Sequence, residues 1–503
     1  MPSEGSVMTT LTEQEYRAIA SSITIPEGCF IDGGFREGSG QPIVSLNPYT
    51  QHQLASFQGA STADVEMAVS HARRSFDTGI WRHQSPNDRK HKMLEFCRLI
   101  HRNRHELAVL ESLDSGKPIR DCALIDIPET IECIRWHAEM TDKLYQQAAP
   151  EEDEVLTMIS RVPRGVVACI LPWNFPLLML AWKLGPALSA GNSVIIKPAE
   201  QTSLTALKLA ELAIEADIPR GVFQVLPGLG EETGQAIGLH HGIDMISFTG
   251  STATGRQFLK YSAESNLKDI VLECGGKNAA IVLDDAQHWD AISQHIIEGA
   301  LWNLGQNCSA ISRLILTEHA KSQLLPRLRN TLTQWQQGDP LDPSSRLGVL
   351  IDEIHADKVQ AAKETAHTDQ IETIHTEANE ALICVDVPTD HTLATDEIFG
   401  PVLSVFTVKS LDEGLSLANS SRYGLTASVF TNQLNQGIRT AKAIDAGTIT
   451  VNCYGEGNIS TPFGGFKQSG FGGRDNGISA HHQFTHEKTI WISTADQTTE
   501  SID

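Results

Sequence analysis

Cys308, in the segment GQNCSAISR, is the cysteine that we consider first as a candidate nucleophile. It follows a Gly-Gln-Asn turn and precedes a segment that begins with small residues. A thiol in such a place can serve as a nucleophile, or it can pack in a core as one more small apolar side chain. Taken alone the residue favours the core, so its interpretation depends on the groups that the chain brings near it.

Two other side chains suit nucleophilic chemistry. Glu273, in LECGGK, closes a predicted strand ahead of two glycines, where its carboxylate can act as a general base or only cap the turn. Asn174 lies between the two prolines of PWNFP, which limit the directions of its amide, and a rigid amide donor suits an oxyanion hole. A Cys-dependent hydrolase would need a histidine paired with Cys308, and none of the 19 histidines lies in a comparable motif.

A phosphate-binding turn is predicted where the strand MISF leads into TGSTATG. Gly250, Ser251 and Gly255 would lie at the start of a helix, with unpaired backbone N–H groups and the positive end of the helix dipole. The pattern is neither a P-loop nor the G-x-G-x-x-G fingerprint, so a plain tight turn is the alternative. Lys197 and Glu200, in VIIKPAE, follow another predicted strand and could bind ribose hydroxyls or form a solvated surface pair.

The predicted elements that position these residues are helices, followed by strands and helices in alternation. Apolar residues recur at helical spacing from about 62 to 145. Short apolar strands then alternate with helices up to DIVLEC, and a second such series begins near 278 and ends with TITVN. This alternation predicts two units with parallel sheets covered on both faces. The closing HEKTIWIS predicts one more strand before a polar tail.

Charge and cysteine usage exclude several classes of protein. Among the 503 residues, 39 Lys and Arg face 62 Asp and Glu, and the net charge of −23 repels nucleic acids. The nine cysteines include no CxxC pair, which fits a reducing cytosol better than disulfides or a zinc site. We therefore expect a cytoplasmic protein that binds no metal and no nucleic acid.

Membrane insertion and export are not expected either. The first thirty residues lack the apolar block of a secretory signal. The membrane-like run at 166–188 contains Pro172, Asn174, Pro176 and Lys183, which predict a buried strand, turn and helix in place of a membrane span.

Combined, the thiol, amide donor, carboxylate and nucleotide site resemble the aldehyde dehydrogenase superfamily. PWNFP, WKLGPALSAGNSVIIKPAE, FTGSTATG, LECGGKNAAIV, GQNCSAISR, EIFGPV and PFGGFKQSG all occur in the family's order. The resemblance implies a Rossmann-like NAD-binding domain at 1–145 and 164–275, a second α/β catalytic domain at 276–470, and a small β oligomerisation arm at 146–163 and 484–497. It also implies a homodimer or homotetramer.

The resemblance assigns roles to individual residues. It implies NAD-dependent oxidation of an aldehyde to a carboxylic acid, with Cys308 as nucleophile, Glu273 as general base and Asn174 as oxyanion donor. The residues that it implies for binding NAD are Leu171, Trp173, Lys197, Glu200, Gly230, Phe248, Gly250, Ser251, Gly255, Glu397 and Phe399. The intermediates would be a thiohemiacetal and a thioester on the cysteine.

Segments such as SPNDRKHKM and HEKTIWIS look most like γ-glutamyl-γ-aminobutyraldehyde and related aminoaldehyde dehydrogenases of putrescine catabolism. A broad-specificity aliphatic or aromatic aldehyde dehydrogenase is the alternative. Asp121 and Asp126 begin a helix expected to line the pocket entrance, where they would suit a cationic tail or belong to an ordinary acidic surface. The predicted pocket residues are Asp126, Phe175, Met179, Trp182, Trp302, Glu456 and Phe463.

Overall fold

The computed structural model describes residues 10–150, 154–455 and 457–494. The helices are α1 Glu13–Ser22, α2 Thr62–Thr78, α3 Pro86–Arg102, α4 Arg104–Ser115, α5 Ile119–Asp121, α6 Ile127–Met140, α7 Pro176–Ala190, α8 Leu204–Glu215, α9 Gln235–Leu239, α10 Thr252–Glu264, α11 Trp289–Leu301, α12 Glu318–Leu332, α13 Glu353–Thr368, α14 Thr392–Thr395, α15 Leu411–Asn419, α16 Leu434–Ala443 and α17 Gly477–Gln483. Two π turns, Cys122–Asp126 and Gly230–Gly234, precede α6 and α9.

The strands are β1 Cys29–Ile31, β2 Gly34–Arg36, β3 Pro42–Leu46, β4 Gln53–Gln58, β5 Gln147–Ala148, β6 Val155–Pro163, β7 Val166–Ile170, β8 Ser193–Lys197, β9 Phe223–Val225, β10 Met245–Thr249, β11 Asp269–Glu273, β12 Asn278–Val282, β13 Ile311–Thr317, β14 Glu372–Thr376, β15 Asn379–Val385, β16 Val402–Val408, β17 Tyr423–Gly424, β18 Thr426–Phe430, β19 Thr448–Val451, β20 Phe466–Lys467, β21 Gly470–Phe471 and β22 Thr485–Ser493. They confirm the α/β fold class.

The first large sheet has the order β2-β1-β9-β8-β7-β10-β11-β21, and its five strands from β9 to β11 are parallel. From β7 the chain moves to β8 and β9 on one side, then crosses to β10 and β11 on the other. The carboxyl ends of β7 and β10 therefore border a topological switch point, the usual place for a ligand in an open α/β sheet. All residues of β7, β8 and β10 are buried, as expected for strands covered on both faces.

The second large sheet has the order β14-β15-β16-β13-β12-β18-β19 and is parallel from β15 to β19. The hairpin of β14 and β15 adds an antiparallel edge strand. Sequence reasoning did not identify that hairpin. Residues 274–277 alone connect the carboxyl end of β11 to the amino end of β12, so these two strand ends lie close together.

A third sheet contains the strand predicted near the C-terminus. β22 pairs antiparallel with β6 along its length, from Thr485 opposite Pro163 to Ser493 opposite Val155, and β5 lies on the other side of β6. β22 is thus an edge strand, and Trp491 on it is 64% exposed.

The apolar run at 166–188 forms strand β7, a turn and helix α7, as the sequence predicts. Every residue of α7 is buried, and Pro176 occupies its first turn, where the missing N–H costs nothing. Within residues 10–150, 154–455 and 457–494, the structure contains no helix with the length and apolarity needed to cross a membrane.

Candidate active site

A cavity of about 240 Å³ lies at the switch point, and Asn174, Glu273 and Cys308 all line it. Asn174 follows β7, Glu273 ends β11, and Cys308 comes from the turn before β13. The structure therefore brings the three predicted catalytic residues together. Other predicted residues on its wall are Trp173, Phe175, Met179, Trp182, Gly250, Ser251, Trp302, Glu397, Phe399 and Phe463.

The turn that carries Cys308 is held by an asparagine at the start of β12. Asn278 donates from its side-chain amide to the carbonyls of Cys308 and Ala310, at 2.7 and 2.9 Å, and accepts from the backbone of Thr426 at 3.1 Å. A Cβ on Gly276 would lie 2.6 Å from the Cys308 carbonyl oxygen, so only glycine allows this close approach. The second glycine of LECGGK is thus required by the cysteine turn.

Asn174 is tied to the same turn. Its side-chain amide donates to the Gln306 carbonyl at 3.0 Å, and its own backbone carbonyl accepts from the Asn303 side chain at 2.9 Å. An amide nitrogen carries two N–H groups. One is used on Gln306, and the buried side chain can present the other to the cavity.

Glu273 is buried, and neither carboxylate oxygen has a well-aligned hydrogen-bond donor among the described residues. Burial raises the pKa of Glu273 well above its ordinary value, and Asp475 raises it further. Lys183 and Arg474 act in the opposite direction. A carboxyl group whose pKa is raised in this way binds a proton more readily than an exposed one, which suits a general base.

Sequence reasoning missed the buried ion pair beside Glu273. Lys183 Nζ lies 3.3 Å from Asp475 Oδ2 and also donates to Ser247 Oγ at 3.0 Å. Gln483 donates to the other oxygen of Asp475 at 3.0 Å. The signal was available, because a charged residue inside the otherwise apolar helix α7 needs a buried partner.

Most residues predicted to bind the cofactor lie at or after the carboxyl ends of β7, β8, β9 and β10. The Leu171 N–H donates to the Lys197 carbonyl at 3.0 Å, and Lys197 Nζ lies 3.5 Å from the half-exposed carboxylate of Glu200. A Cβ on Gly230 would meet nothing within 4 Å, so open space adjoins this edge. Polar groups beside open space at a switch point fit a dinucleotide.

Glu397 and Phe399, which precede β16, line the cavity of Cys308. Glu397 accepts from the Gly276 N–H at 2.8 Å, and Trp173 packs edge-on to Phe399 at 5.3 Å. His355 and Lys358, which sequence reasoning missed, line the cavity here, and the His355 ring contacts the Phe399 carbonyl at 2.8 Å. One carboxylate on this cavity and another beside Lys197 suit the two riboses of a dinucleotide.

Two details of the predicted phosphate turn are wrong. The Gly250 N–H donates to the Glu273 carbonyl at 3.0 Å, and the Gly255 N–H donates to Ser251 at 2.9 Å within α10, so neither is unpaired. A Cβ on Gly255 would lie 3.1 Å from Cys274 Sγ, which gives this glycine a packing role between helix and strand. Phe248 is likewise buried and packs on Phe258 at 5.2 Å.

A wider cavity of about 850 Å³ opens outside the first, and Trp182 and Trp302 line both. Its wall includes the acidic residues Asp121, Glu129, Glu132 and Glu298, the basic residues Arg120 and Arg346, and the aromatic residues Trp136, Trp335 and Tyr454. Burial raises the pKa of Asp121 to about 6.

Asp126 does not line this entrance, so its predicted place in the pocket is wrong. Its side chain is fully buried and forms an ion pair with Lys117 at 2.6 Å. The π turn before α6 changes the helical phase between Asp121 and Asp126, and only Asp121 faces the entrance. Glu456 lies outside the described residues.

Comparisons with known proteins agree with this geometry. The profile of the aldehyde dehydrogenase family matches residues 35–490. The aminoacetaldehyde dehydrogenase of Pseudomonas aeruginosa is 52% identical over 96% of this chain and 99% of its own, and the NADP/NAD-dependent aldehyde dehydrogenase PuuC of Escherichia coli K12 is 43% identical over 94% and 97%. The structure of an indole-3-acetaldehyde dehydrogenase with NAD⁺ superposes with a TM-score of 0.94 at 40% identity, covering 96% of this chain and all of that one.

Exposure predicts which cysteines react with an alkylating agent. Cys308 is partly exposed in the cavity and Cys453 is exposed at the surface, whereas the other seven cysteines are buried. Iodoacetamide should label these two in the folded protein and the seven others only after unfolding, because a thiol must be reachable to react. Peptide mass spectrometry gives the pattern, with Cys453→Ser as control. An unlabelled Cys308 would contradict the accessibility of the site.

Proposed function

The chain belongs to the aldehyde dehydrogenase family, and on that premise we propose that Cys308, Glu273 and Asn174 carry out its NAD-dependent oxidation of an aldehyde to a carboxylic acid. The observation that carries this proposal is the single cavity that all three side chains line. A Cys-dependent hydrolase is the less favoured alternative, because it would need a histidine to activate the thiol, and His355 on the cavity wall contacts the Phe399 carbonyl.

In the first step the Cys308 thiolate attacks the aldehyde carbon. A C–S bond forms, the carbonyl electron pair moves to oxygen, and a thiohemiacetal results. The N–H of Asn174 that is not used on Gln306 stabilises the oxyanion, and because the amide is already anchored this stabilisation requires no reorganisation.

NAD, when bound, supplies the acceptor for the hydride that leaves the former aldehyde carbon. Lys197, Glu200, Ser251 and Glu397 are the residues that would hold it. The carbon left on Cys308 is a thioester.

Glu273 completes the cycle by accepting a proton from water as the water oxygen attacks the thioester carbon. The C–S bond then breaks, the carboxylic acid leaves, and the thiolate is restored. The raised pKa of Glu273 makes it a stronger base once it is ionised, and the nearby Lys183 and Asp475 set how readily it ionises.

The two halves of this cycle separate in a variant of the base. Glu273→Gln should still release one equivalent of NADH rapidly, because hydride transfer precedes hydrolysis, while steady turnover falls by about 10²-fold or more. Stopped-flow absorbance of NADH measures both phases. Cys308→Ala, the matched control, should show neither burst nor turnover while still binding NAD. Normal steady turnover in Glu273→Gln would mean that another group activates the water.

We further propose that the aldehyde is an amino- or γ-glutamylaminoaldehyde from putrescine or polyamine catabolism. The carboxylates around the entrance and its indole rings suit a cationic tail, since both attract an ammonium group. The name of the Pseudomonas aeruginosa relative, an aminoacetaldehyde dehydrogenase, supports an aminoaldehyde. A broad-specificity aliphatic or aromatic aldehyde dehydrogenase is the alternative, which the aromatic lining also fits.

The raised pKa of Asp121 allows the preference for a cationic substrate to be tested by varying the pH. Because its pKa is raised to about 6, the carboxylate is neutral below that pH and attracts a cation only above it. The preference in kcat/KM for an ω-aminoaldehyde over a neutral aldehyde of equal length should therefore increase as pH rises through about 6. Asp121→Asn should lose about tenfold on the cationic aldehyde only, equivalent to about 1.4 kcal/mol. A pH-independent preference that survives the substitution would favour the broad-specificity alternative.

We expect NAD to be preferred over NADP, because a Glu200 carboxylate that accepts hydrogen bonds from the adenosine ribose would repel the 2′-phosphate of NADP. The Glu200 side chain is 41% exposed and lies 3.5 Å from Lys197, so screening limits the cost to about 1 kcal/mol, roughly fivefold in affinity. Glu200→Gln should raise kcat/KM for NADP relative to NAD. Equal use of both cofactors by the wild type would show that Glu200 does not bind the adenosine ribose.

We also propose that β6 and β22 belong to an arm at 146–163 and 484–497 that joins copies of the chain, beside an NAD-binding domain at 1–145 and 164–275 and a catalytic domain at 276–470. The support is an exposed edge strand that carries Trp491. Light scattering at micromolar concentration should give the mass of a dimer or tetramer, and a monomeric mass would contradict the proposed arm.

We also propose a cytoplasmic location. The nine free thiols support it, because thiols stay reduced in the cytosol.

A further inference from the structure

We propose that the buried ion pair of Lys117 and Asp126 positions the aldehyde pocket by holding the ring of Phe175. This inference deepens the proposed function and rests on it, because Phe175 lines the cavity of Cys308. Neither charged residue touches the substrate, so both are positioning residues.

The contact is direct. Lys117 Nζ lies 3.8 Å from the centre of the Phe175 ring and 2.6 Å from Asp126 Oδ2, and both charged side chains are almost fully buried. The ring also packs on Trp302, with 4.9 Å between centres. A cation over a ring face is attracted by the ring quadrupole, and the attraction grows when both are removed from water. Phe175 is therefore held between the Lys117 cation and the indole at the junction of the two cavities.

The sequence explains why Asp126 reaches Lys117. Pro128 has no N–H, so it cannot donate to the Leu124 carbonyl as an α-helix requires. The Ile127 N–H donates to the Cys122 carbonyl, five residues back, which inserts one residue into the turn. The Lys117 backbone is fixed as well, because its carbonyl accepts from Ser112 Oγ at 2.7 Å.

A second buried group from the same region holds the backbone next to Phe175. Glu111, on α4, accepts from the Leu177 N–H at 3.1 Å and from Thr205 Oγ1 at 2.9 Å. Leu177 lies in the first turn of α7, directly after the segment that carries Asn174 and Phe175. Ring and backbone of this segment are thus held from one side, by α4 and the π turn.

Stability does not by itself account for the pair. Buried ion pairs can often be replaced by apolar residues without loss of stability, because the attraction between the charges barely offsets their desolvation. Burial lowers the pKa of Lys117, but Asp126, Cys122 and Glu111 together outweigh that effect and raise the pKa, so the residue stays a cation. Because Lys117 stays charged against the ring of Phe175, which lines the cavity, we assign the ion pair a role in holding that ring.

A double-mutant cycle tests the coupling. Lys117→Met/Asp126→Asn removes both charges, and it is made in the wild type and in Phe175→Leu. With Phe175 present, kcat/KM should fall about tenfold, a moderate cost for misplacing a pocket group, while iodoacetamide alkylates Cys308 faster because the ring is released. In Phe175→Leu both effects should shrink below about twofold. Equal losses in both backgrounds would overturn the proposal.

A control variant tests whether loss of any buried lysine has the same effect. Lys268→Met removes another buried lysine, whose Nζ donates to the Gly238 carbonyl at 2.7 Å, and it should lower the Tm without changing Cys308 alkylation.

A second measurement serves if the double variant does not fold. Fluorinated phenylalanines at position 175 weaken the ring quadrupole in an otherwise native chain, and alkylation of Cys308 should become faster with each added fluorine. No trend would refute the contact. Alkylation needs no dehydrogenase turnover, so failure of the proposed reaction is distinguishable from failure of this inference.

Discussion

The connection from Cys274 to Lys277 is the constraint on which the rest of the site depends. It begins after β11, which ends at Glu273, and leads into β12, which begins at Asn278, so the carboxyl ends of strands in the first sheet lie near the amino ends of strands in the second. Loops from these two sets of strand ends therefore line the same cavity. A Cβ on Gly275 would lie 2.0 Å from Glu397 Oε2, so the connection also needs glycine to admit the carboxylate at the cofactor end. A longer or bulkier connection would separate Glu273 from Cys308.

Charge is distributed around the pocket in two buried groups. Lys183 and Asp475 lie beside Glu273, and Lys117 and Asp126 lie behind Phe175. Each group pairs its charges internally, which limits the cost of removing them from water. Because these charges are fixed when the chain folds, the polarity of the pocket is set before an aldehyde enters, which is the condition for electrostatic catalysis.

The sequence predicted the features that depend on local pattern. Apolar runs between turns identified the buried strands, and strand ends placed Lys197 and Glu273 at the ligand-binding edge. The error at Asp126 came from a helical phase change that Pro128 causes and that a regular period cannot represent. The pairing of Lys183 with Asp475 was also missed, because its members lie far apart in the chain and no local pattern links them. Long-range partners of buried charges were thus the least predictable part of the site.

Strand β21 has a consequence for how the protein is made. It pairs antiparallel with β11, with Gly470 opposite Glu273, and so completes the edge of the first sheet from near the end of the chain. A ribosome synthesises β11 long before it synthesises β21 and the Asp475 that follows. During that interval the nascent chain can form the central strands of the first sheet, but Glu273 lacks Gly470 opposite it and the nearby Asp475. Such late, long-range closure slows folding and leaves an unpaired strand edge exposed meanwhile. The Glu273 carboxyl group therefore acquires its final surroundings only after nearly the whole chain has been synthesised.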